Sequence, residues 1–86
     1  MLALDLSGNN FDAFQIPSQI SRMTSLQRIY LMNTRVYGSL PLEICDLEDL
    51  EEINLHGTNV DKEVDSKFFA CTISESLTRQ GFYSSR

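Results

Sequence analysis

Leu-Gln-Arg-Ile-Tyr-Leu at residues 26–31 returns 24 residues later as Leu-Glu-Glu-Ile-Asn-Leu at residues 50–55. In both copies the fourth and sixth positions are apolar and alternate with more polar neighbours, as in a short strand with one buried face. A fixed period in the range of about 20–29 residues predicts stacked repeat units, because one such unit cannot bury its apolar edge alone.

The repetition extends beyond the strand segments. Thr34 and Val36 return at the same offset as Thr58 and Val60. The apolar positions Leu40, Ile44 and Leu47 correspond to Val64, Phe68 and Cys71. An earlier unit contains Leu4, Leu6, Asn9, Phe11, Ile16 and Pro17, with one inserted residue near positions 12–15. The last unit keeps apolar residues but replaces Gly38 and Pro41 by Lys62 and Asp65, as expected of a terminal repeat.

Residues 6–11, Leu-Ser-Gly-Asn-Asn-Phe, followed by Ile16-Pro17, resemble the plant-type leucine-rich repeat. Residues 38–41, Gly-Ser-Leu-Pro, are similar to the Gly-x-Ile-Pro segment of that consensus, whereas Thr34 and Thr58 depart from its Asn position. The family includes receptor-like kinase ectodomains, receptor-like proteins and polygalacturonase-inhibiting proteins. The resemblance implies a protein- or peptide-binding scaffold, and it favours an extracellular or cell-surface location, although the sequence itself does not fix the compartment.

The repeats and the resemblance predict an α/β leucine-rich repeat solenoid. It would have a short parallel β-sheet on its concave side and helical or 3₁₀ returns on its convex side. Three repeats are expected at residues 1–25, 26–49 and 50–71, and a C-terminal cap and tail at residues 72–86. Phe69, Ile73 and Leu77 are spaced by four, which predicts an amphipathic capping helix over residues 66–79, ended by Gly81. Residues 82–86 are expected to be a frayed tail.

Side chains that flank the strand leucines are predicted to point outward from the concave side in three columns. These columns are Ala3, Arg28 and Glu52; Asp5, Tyr30 and Asn54; and Ser7, Met32 and His56. Tyr, Arg and Met are enriched in protein interfaces, and Tyr and Arg dominate binding hot spots. We therefore predict a ligand-contact patch formed by Arg28, Tyr30, Met32, Asn54 and His56. In the alternative interpretation these are ordinary exposed strand residues, and Arg28 pairs with Glu52 across the strands.

The net charge of −5 disfavours nucleic acid and anionic membranes as partners. No apolar run is long enough to insert into a membrane. His56, the sole histidine, has no nucleophile placed by a motif, and the cysteines lack zinc spacing, so we predict no enzyme activity, no metal site and no cofactor. Asp61, Glu63 and Asp65 alternate as in a calcium loop, but no loop glycine follows.

Cys45 and Cys71 are too few for a disulfide scaffold. The expectation is that they are unbonded and that Cys71 packs as a small apolar side chain, with a mutual disulfide as the alternative. The first strand has no amino-terminal cap before it, so Leu4, Leu6 and Phe11 would be exposed. We therefore expect a piece of a longer array, or a chain that self-associates through this edge.

Three functions remain open at this point. The first is a protein- or peptide-binding module of a receptor-like array. The second is a structural or autoinhibitory repeat segment of an intracellular multidomain protein. The third is a set of repeats that accompanies a catalytic domain, such as a kinase, elsewhere in a longer protein.

Overall fold

A computed structural model describes residues 2–8 and 12–84, so the expectations for Asn9 and Phe11 lie outside the described residues. The strands are β1 (Leu2–Asp5), β2 (Leu26–Tyr30), β3 (Tyr37–Gly38), β4 (Glu52–Asn54) and β5 (Asn59–Val60). Among the residues that the structure describes, three 3₁₀ helices, η1 (Ser18–Arg22), η2 (Leu42–Asp46) and η3 (Ser66–Ala70), precede one α-helix, α1 (Ser74–Arg79).

The main sheet is parallel, with strand order β1-β2-β4. Arg28 on the middle strand is opposite Ala3 on one side and Glu52 on the other. Tyr30 is likewise opposite Asp5 and Asn54, so the first two predicted columns have the expected register. Strands β3 and β5 form a second, two-stranded parallel sheet.

A single apolar core lies behind the main sheet. Ile29 and Ile53, at the centres of β2 and β4, have no exposed surface. The 3₁₀ helices on the far side of this core contribute Ile20, Ile44 and Phe68, all buried and spaced by 24 residues. A 3₁₀ return at η2 agrees with the three-residue spacing of apolar residues there.

The predicted α/β leucine-rich repeat solenoid is wrong for this chain. The fold is a compact globule of 33 × 29 × 21 Å with a radius of gyration of 11.9 Å, and no solenoid is evident among the described residues. Three parallel strands about 4.8 Å apart span only about 10 Å between the outer strands. The repeated segments therefore enclose a small core between the short main sheet and the 3₁₀ helices, and α1 and a disulfide complete the fold.

The continuous capping helix predicted over residues 66–79 is also wrong. The chain forms η3, becomes extended at Cys71 (φ −107°, ψ 177°), and only then forms the six-residue α1. Phe68 occupies the repeat position of Ile44 and is buried, so the 24-residue pattern prevails here over the four-residue spacing. Ile73 and Leu77 nevertheless have no exposed surface, because α1 covers the outer side of β4.

The tail is ordered further than expected. Phe82 is buried, and Tyr83 forms a parallel bridge with Glu63. The Tyr83 N–H donates to the Lys62 carbonyl at 2.8 Å, and the Val64 N–H donates to the Tyr83 carbonyl at 2.8 Å. The prediction of a frayed tail is therefore wrong at Phe82 and Tyr83, while Ser85 and Arg86 lie outside the described residues.

The cysteines form a Cys45–Cys71 disulfide with a Cα–Cα distance of 5.5 Å, so the expectation of unbonded cysteines is wrong. Both residues are half-buried and lie one repeat apart, at η2 and directly after η3. The sequence spacing alone did not reveal the pair, because the two thiols meet only when the third unit stacks on the second.

The turn after each strand of the main sheet requires a left-handed residue. Gly8, Asn33 and Gly57 occupy equivalent positions and have φ values of 73°, 58° and 76°. Glycine and asparagine tolerate this region with the least steric cost. The hydroxyls of Thr34 and Thr58 then donate to the carbonyls of Leu31 and Leu55 at 2.8 and 2.6 Å.

Candidate functional site

The five predicted contact residues lie on two neighbouring strands and on the turns that follow them. Arg28 and Tyr30 are half-buried residues of β2, and half-buried Asn54 lies opposite Tyr30 on β4. Met32 and His56 follow these strands, where the Asn33 N–H donates to the His56 carbonyl at 2.9 Å. Since Ile29, Leu31, Ile53 and Leu55 fill the core, the alternating residues form the opposite face of the sheet, here called the front face.

Tyr30 is held in place by Glu52. Its hydroxyl donates to Oε1 of Glu52 at 3.1 Å, across the β2–β4 pair. The alternative pairing expected from the sequence, Arg28 with Glu52, is not formed, and the ion pair found among the described residues is Arg79–Glu75 at 3.8 Å. The Arg28 guanidinium is thus left for other acceptors, and the Tyr30 ring is oriented before any partner binds.

The third column is tied together through the backbone. Oγ of Ser7 accepts from the Met32 N–H at 3.0 Å. Oδ1 of Asn54 accepts from the His56 N–H at 3.1 Å, just as Oδ1 of Asp5 accepts from the Ser7 N–H at 3.0 Å. The side-chain oxygen of Asn54 therefore already accepts a hydrogen bond from the turn, and the side-chain NH₂ group is the part suited to a partner.

A polar groove that the sequence analysis missed runs along the front face beside β4. One part encloses about 220 Å³ and is lined by Arg28, Glu51, Glu52, Ser76 and Arg79. A neighbouring part of about 150 Å³ is lined by Glu52, Asn54, Ser76, Arg79 and Gln80. The available signal was the spacing of Ser76, Arg79 and Gln80 at three and four residues, which places them on one helix face.

Ser76 of α1 and Gln80, the residue that follows this helix, close the groove against β4. The Ser76 hydroxyl accepts from the Ile53 N–H at 3.2 Å and donates to the Ile53 carbonyl at 2.9 Å. The Gln80 carboxamide accepts from the Leu55 N–H at 2.7 Å and donates to the Ile53 carbonyl at 2.6 Å. The outer edge of β4 is thereby satisfied without a further strand.

The other edge of the sheet is more apolar at its surface. Leu2 is 45% exposed and Leu4 is half-buried, whereas the matching Leu26 and Ile29 have no exposed surface. A pocket of about 330 Å³ lies near this edge and is lined by Leu6, Asp12, Ala13 and Phe14. Self-association through β1 remains a prediction.

Other chemistry has little support in the part of the chain that is described. No group of three or more His, Cys, Asp or Glu residues there is arranged to hold a metal ion. Asp61 accepts from the Ser39 hydroxyl at 3.3 Å, and Asp65 accepts from the Lys67 N–H at 2.9 Å at the start of η3. No described helix has the length and apolar character needed to cross a membrane.

Comparisons with family models and with curated proteins give no match. The chain matches no protein-family model. No curated protein is significantly similar to it. The resemblance to plant-type leucine-rich repeats therefore depends only on the repeated residues themselves.

Proposed function

We propose that this chain is a protein- or peptide-binding module and that the front face, with Arg28, Tyr30, Met32, Asn54 and His56, contacts the partner. The observation that supports this proposal most is how Tyr30 and Arg28, on the middle strand, are bonded. Glu52 fixes the Tyr30 ring, while Arg28 has no ion pair among the described residues. A pre-oriented aromatic ring beside an available guanidinium suits a binding hot spot, because less side-chain entropy is lost on association.

The position of the patch also favours recognition. Residues on a strand between two others are held more rigidly than loop residues, and the register of β2 against β1 and β4 is set by backbone pairing. The polar groove extends the patch toward α1 through Arg28 and Asn54. An extended segment laid across the strands would contact both.

Charge narrows the class of partner. The chain carries 12 acidic and 7 basic residues, and exposed Asp5 and Glu51 flank the patch. Such a surface steers positively charged protein segments toward it and repels phosphate backbones. We infer a partner segment with basic side chains near Glu51 and an oxygen acceptor for Arg28.

Membership of the plant-type leucine-rich repeat family is part of the same proposal, and it is supported by the repeated residues described above. The Cys45–Cys71 disulfide supports an extracellular or cell-surface location, because disulfides persist in oxidising compartments. No catalytic role is proposed for the chain.

A display selection of short random peptides on the oxidised chain tests this function. Arg28→Ala and Tyr30→Ala should each weaken the selected peptides by about tenfold or more. Tyr37→Ala is the matched control, because Tyr37 is a 43% exposed tyrosine on β3, outside the main sheet, and its loss should change affinity less than about twofold. Peptides that bind the Arg28→Ala/Tyr30→Ala double variant as tightly as the parent chain would contradict the proposed patch.

A second candidate function is structural packing against a neighbouring domain. The observation that favours it is the apolar surface of Leu2 and Leu4 on β1. In that function Leu2→Asp would abolish the association, whereas Arg28→Ala and Tyr30→Ala would leave it unchanged. The disulfide weighs against the intracellular form of this alternative.

A further inference from the structure

The Cys45–Cys71 disulfide sits immediately before the segment that covers β4. It joins η2 to the residue that follows η3, across a sequence separation of 26, and the closed loop contains β4 and β5. Cys71 is extended and leads through Thr72 into Ile73, the residue before α1. The covalent bond thus anchors the entry to the helix onto the second repeat unit.

Helix α1 depends on such anchors. It has six residues, and isolated helices shorter than about 12–15 residues are marginal in water. Its position is set by the buried Ile73 and Leu77, by the Ser76 and Gln80 hydrogen bonds to β4, and by the nearby disulfide. Removal of the covalent anchor leaves only the noncovalent ones.

The helix protects a specific set of backbone groups. Donors on β2 and its following turn are satisfied by β4, since the Leu31 N–H donates to the Asn54 carbonyl at 3.0 Å and the Asn33 N–H to the His56 carbonyl at 2.9 Å. In the third unit the Ile53 and Leu55 N–H groups donate instead to the side chains of Ser76 and Gln80. Opening of α1 would expose the second set and leave the first set paired.

We propose that the Cys45–Cys71 disulfide is a redox latch that holds α1 on the edge of β4. A small dithiol opens it by exchange: one thiolate attacks a cysteine sulfur, forms a mixed disulfide and releases the other cysteine as a thiol after protonation. The second thiol of the reagent then displaces the first cysteine. The chain gains two electrons and two protons, and the reagent becomes a disulfide.

The latch also bears on the front face, and this part rests on the proposed function. Glu52 and Asn54 line the groove together with Ser76 and Gln80, so departure of α1 removes one wall of the groove. Reduction therefore weakens binding of a segment that occupies it. The oxidised chain is the binding-competent form.

Amide hydrogen exchange, followed by NMR on the whole chain, tests the latch without any partner. After addition of dithiothreitol, the acceleration of the Ile53 and Leu55 amides should exceed that of the Leu31 and Asn33 amides, which report the loss of global stability, by about tenfold or more. The Cys45→Ser/Cys71→Ser variant should show the fast pattern with and without the reagent. Ser76→Ala in the oxidised chain should accelerate Ile53 more than Leu31 and Asn33, which confirms that this amide reports the contact with α1.

Two results would overturn the latch. Equal acceleration of all four amides would mean that the disulfide stabilises the whole fold uniformly, and unchanged rates at Ile53 and Leu55 would mean that α1 stays in place without it. Neither readout involves the peptide, so the latch can stand if the front face fails as a binding site. A selected peptide that binds the reduced chain as tightly as the oxidised chain would overturn the link to binding.

Discussion

The Ser76 hydroxyl bonds to both backbone polar groups of one residue, Ile53, at 3.2 Å to its N–H and 2.9 Å to its carbonyl. A neighbouring strand would normally provide such partners. Exposed sheet edges invite pairing with other chains, and natural proteins cover or interrupt them. In this chain a side chain of a short helix supplies what a fourth strand would have supplied.

Loss of the Ser76 hydroxyl should therefore lower the stability of the fold markedly, although it removes a single atom. Ser76→Ala leaves a buried donor and acceptor of Ile53 with fewer partners, so we expect the free energy of unfolding to fall by about 1–3 kcal/mol. Urea denaturation followed by circular dichroism measures it. Thr78→Ala on the same helix is the control: that hydroxyl is exposed and bonds to the Ser74 carbonyl within the helix. An equal loss in both variants would argue against the edge-covering role.

The disulfide gives a second stability prediction. A cross-link over a separation of 26 residues restricts the unfolded chain and is worth about 3.5 kcal/mol on the chain-entropy model. The Cys45→Ser/Cys71→Ser variant should lose roughly that amount in urea unfolding. Reduction of the native chain should give a similar loss, and a loss below about 1 kcal/mol in both would show that the cross-link contributes little.

The repeated left-handed turn gives a third prediction. Gly8 and Gly57 are equivalent and both have positive φ, so alanine at either is strained by about 1–3 kcal/mol. A Cβ at Gly57 would also collide with the side chain of Asn33, whereas nothing lies within 4 Å of a Cβ at Gly8. Gly57→Ala should therefore lower the melting temperature more than Gly8→Ala. Equal decreases in the two variants would mean that the Asn33 side chain moves aside without cost.

The local part of this fold could be predicted from the sequence. The 24-residue offset predicted the strand register that places Arg28 opposite Glu52 and Tyr30 opposite Asn54. Strand register follows from which alternate residues are apolar. Such features need no knowledge of distant parts of the chain.

The features that were missed depend on contacts between units. The solenoid was wrong because periodicity predicts how units stack but does not give the proportions of a chain whose main sheet has three strands. The disulfide and the Ser76 cover require a position in space that spacing does not give. At Phe68 two periodic patterns overlapped, and burial in the core decided between them. The groove beside β4 was not predicted because only the apolar residues of this helical segment entered the sequence analysis, whereas polar side chains line the groove.

The Tyr30–Glu52 hydrogen bond leads to a prediction for binding. Arg28 and Glu52 are directly opposite on adjacent strands, yet the Glu52 carboxylate accepts from the Tyr30 hydroxyl. Tyr30→Phe keeps the ring but frees Glu52 to pair with Arg28. We expect a change in the free energy of unfolding of less than about 1 kcal/mol, because the lost bond is only partly buried.

The same variant should bind a selected peptide about two- to fivefold more weakly, the factor that corresponds to an exposed ion pair worth up to about 1 kcal/mol. Glu52→Gln in addition removes the carboxylate, so the Tyr30→Phe/Glu52→Gln variant should regain most of the affinity. Isothermal titration calorimetry on the parent chain, both single variants and the double variant measures the coupling directly. If the double variant binds as weakly as Tyr30→Phe, the hydroxyl acts by orienting the ring or by contacting the partner, and its role in keeping Glu52 away from Arg28 is refuted.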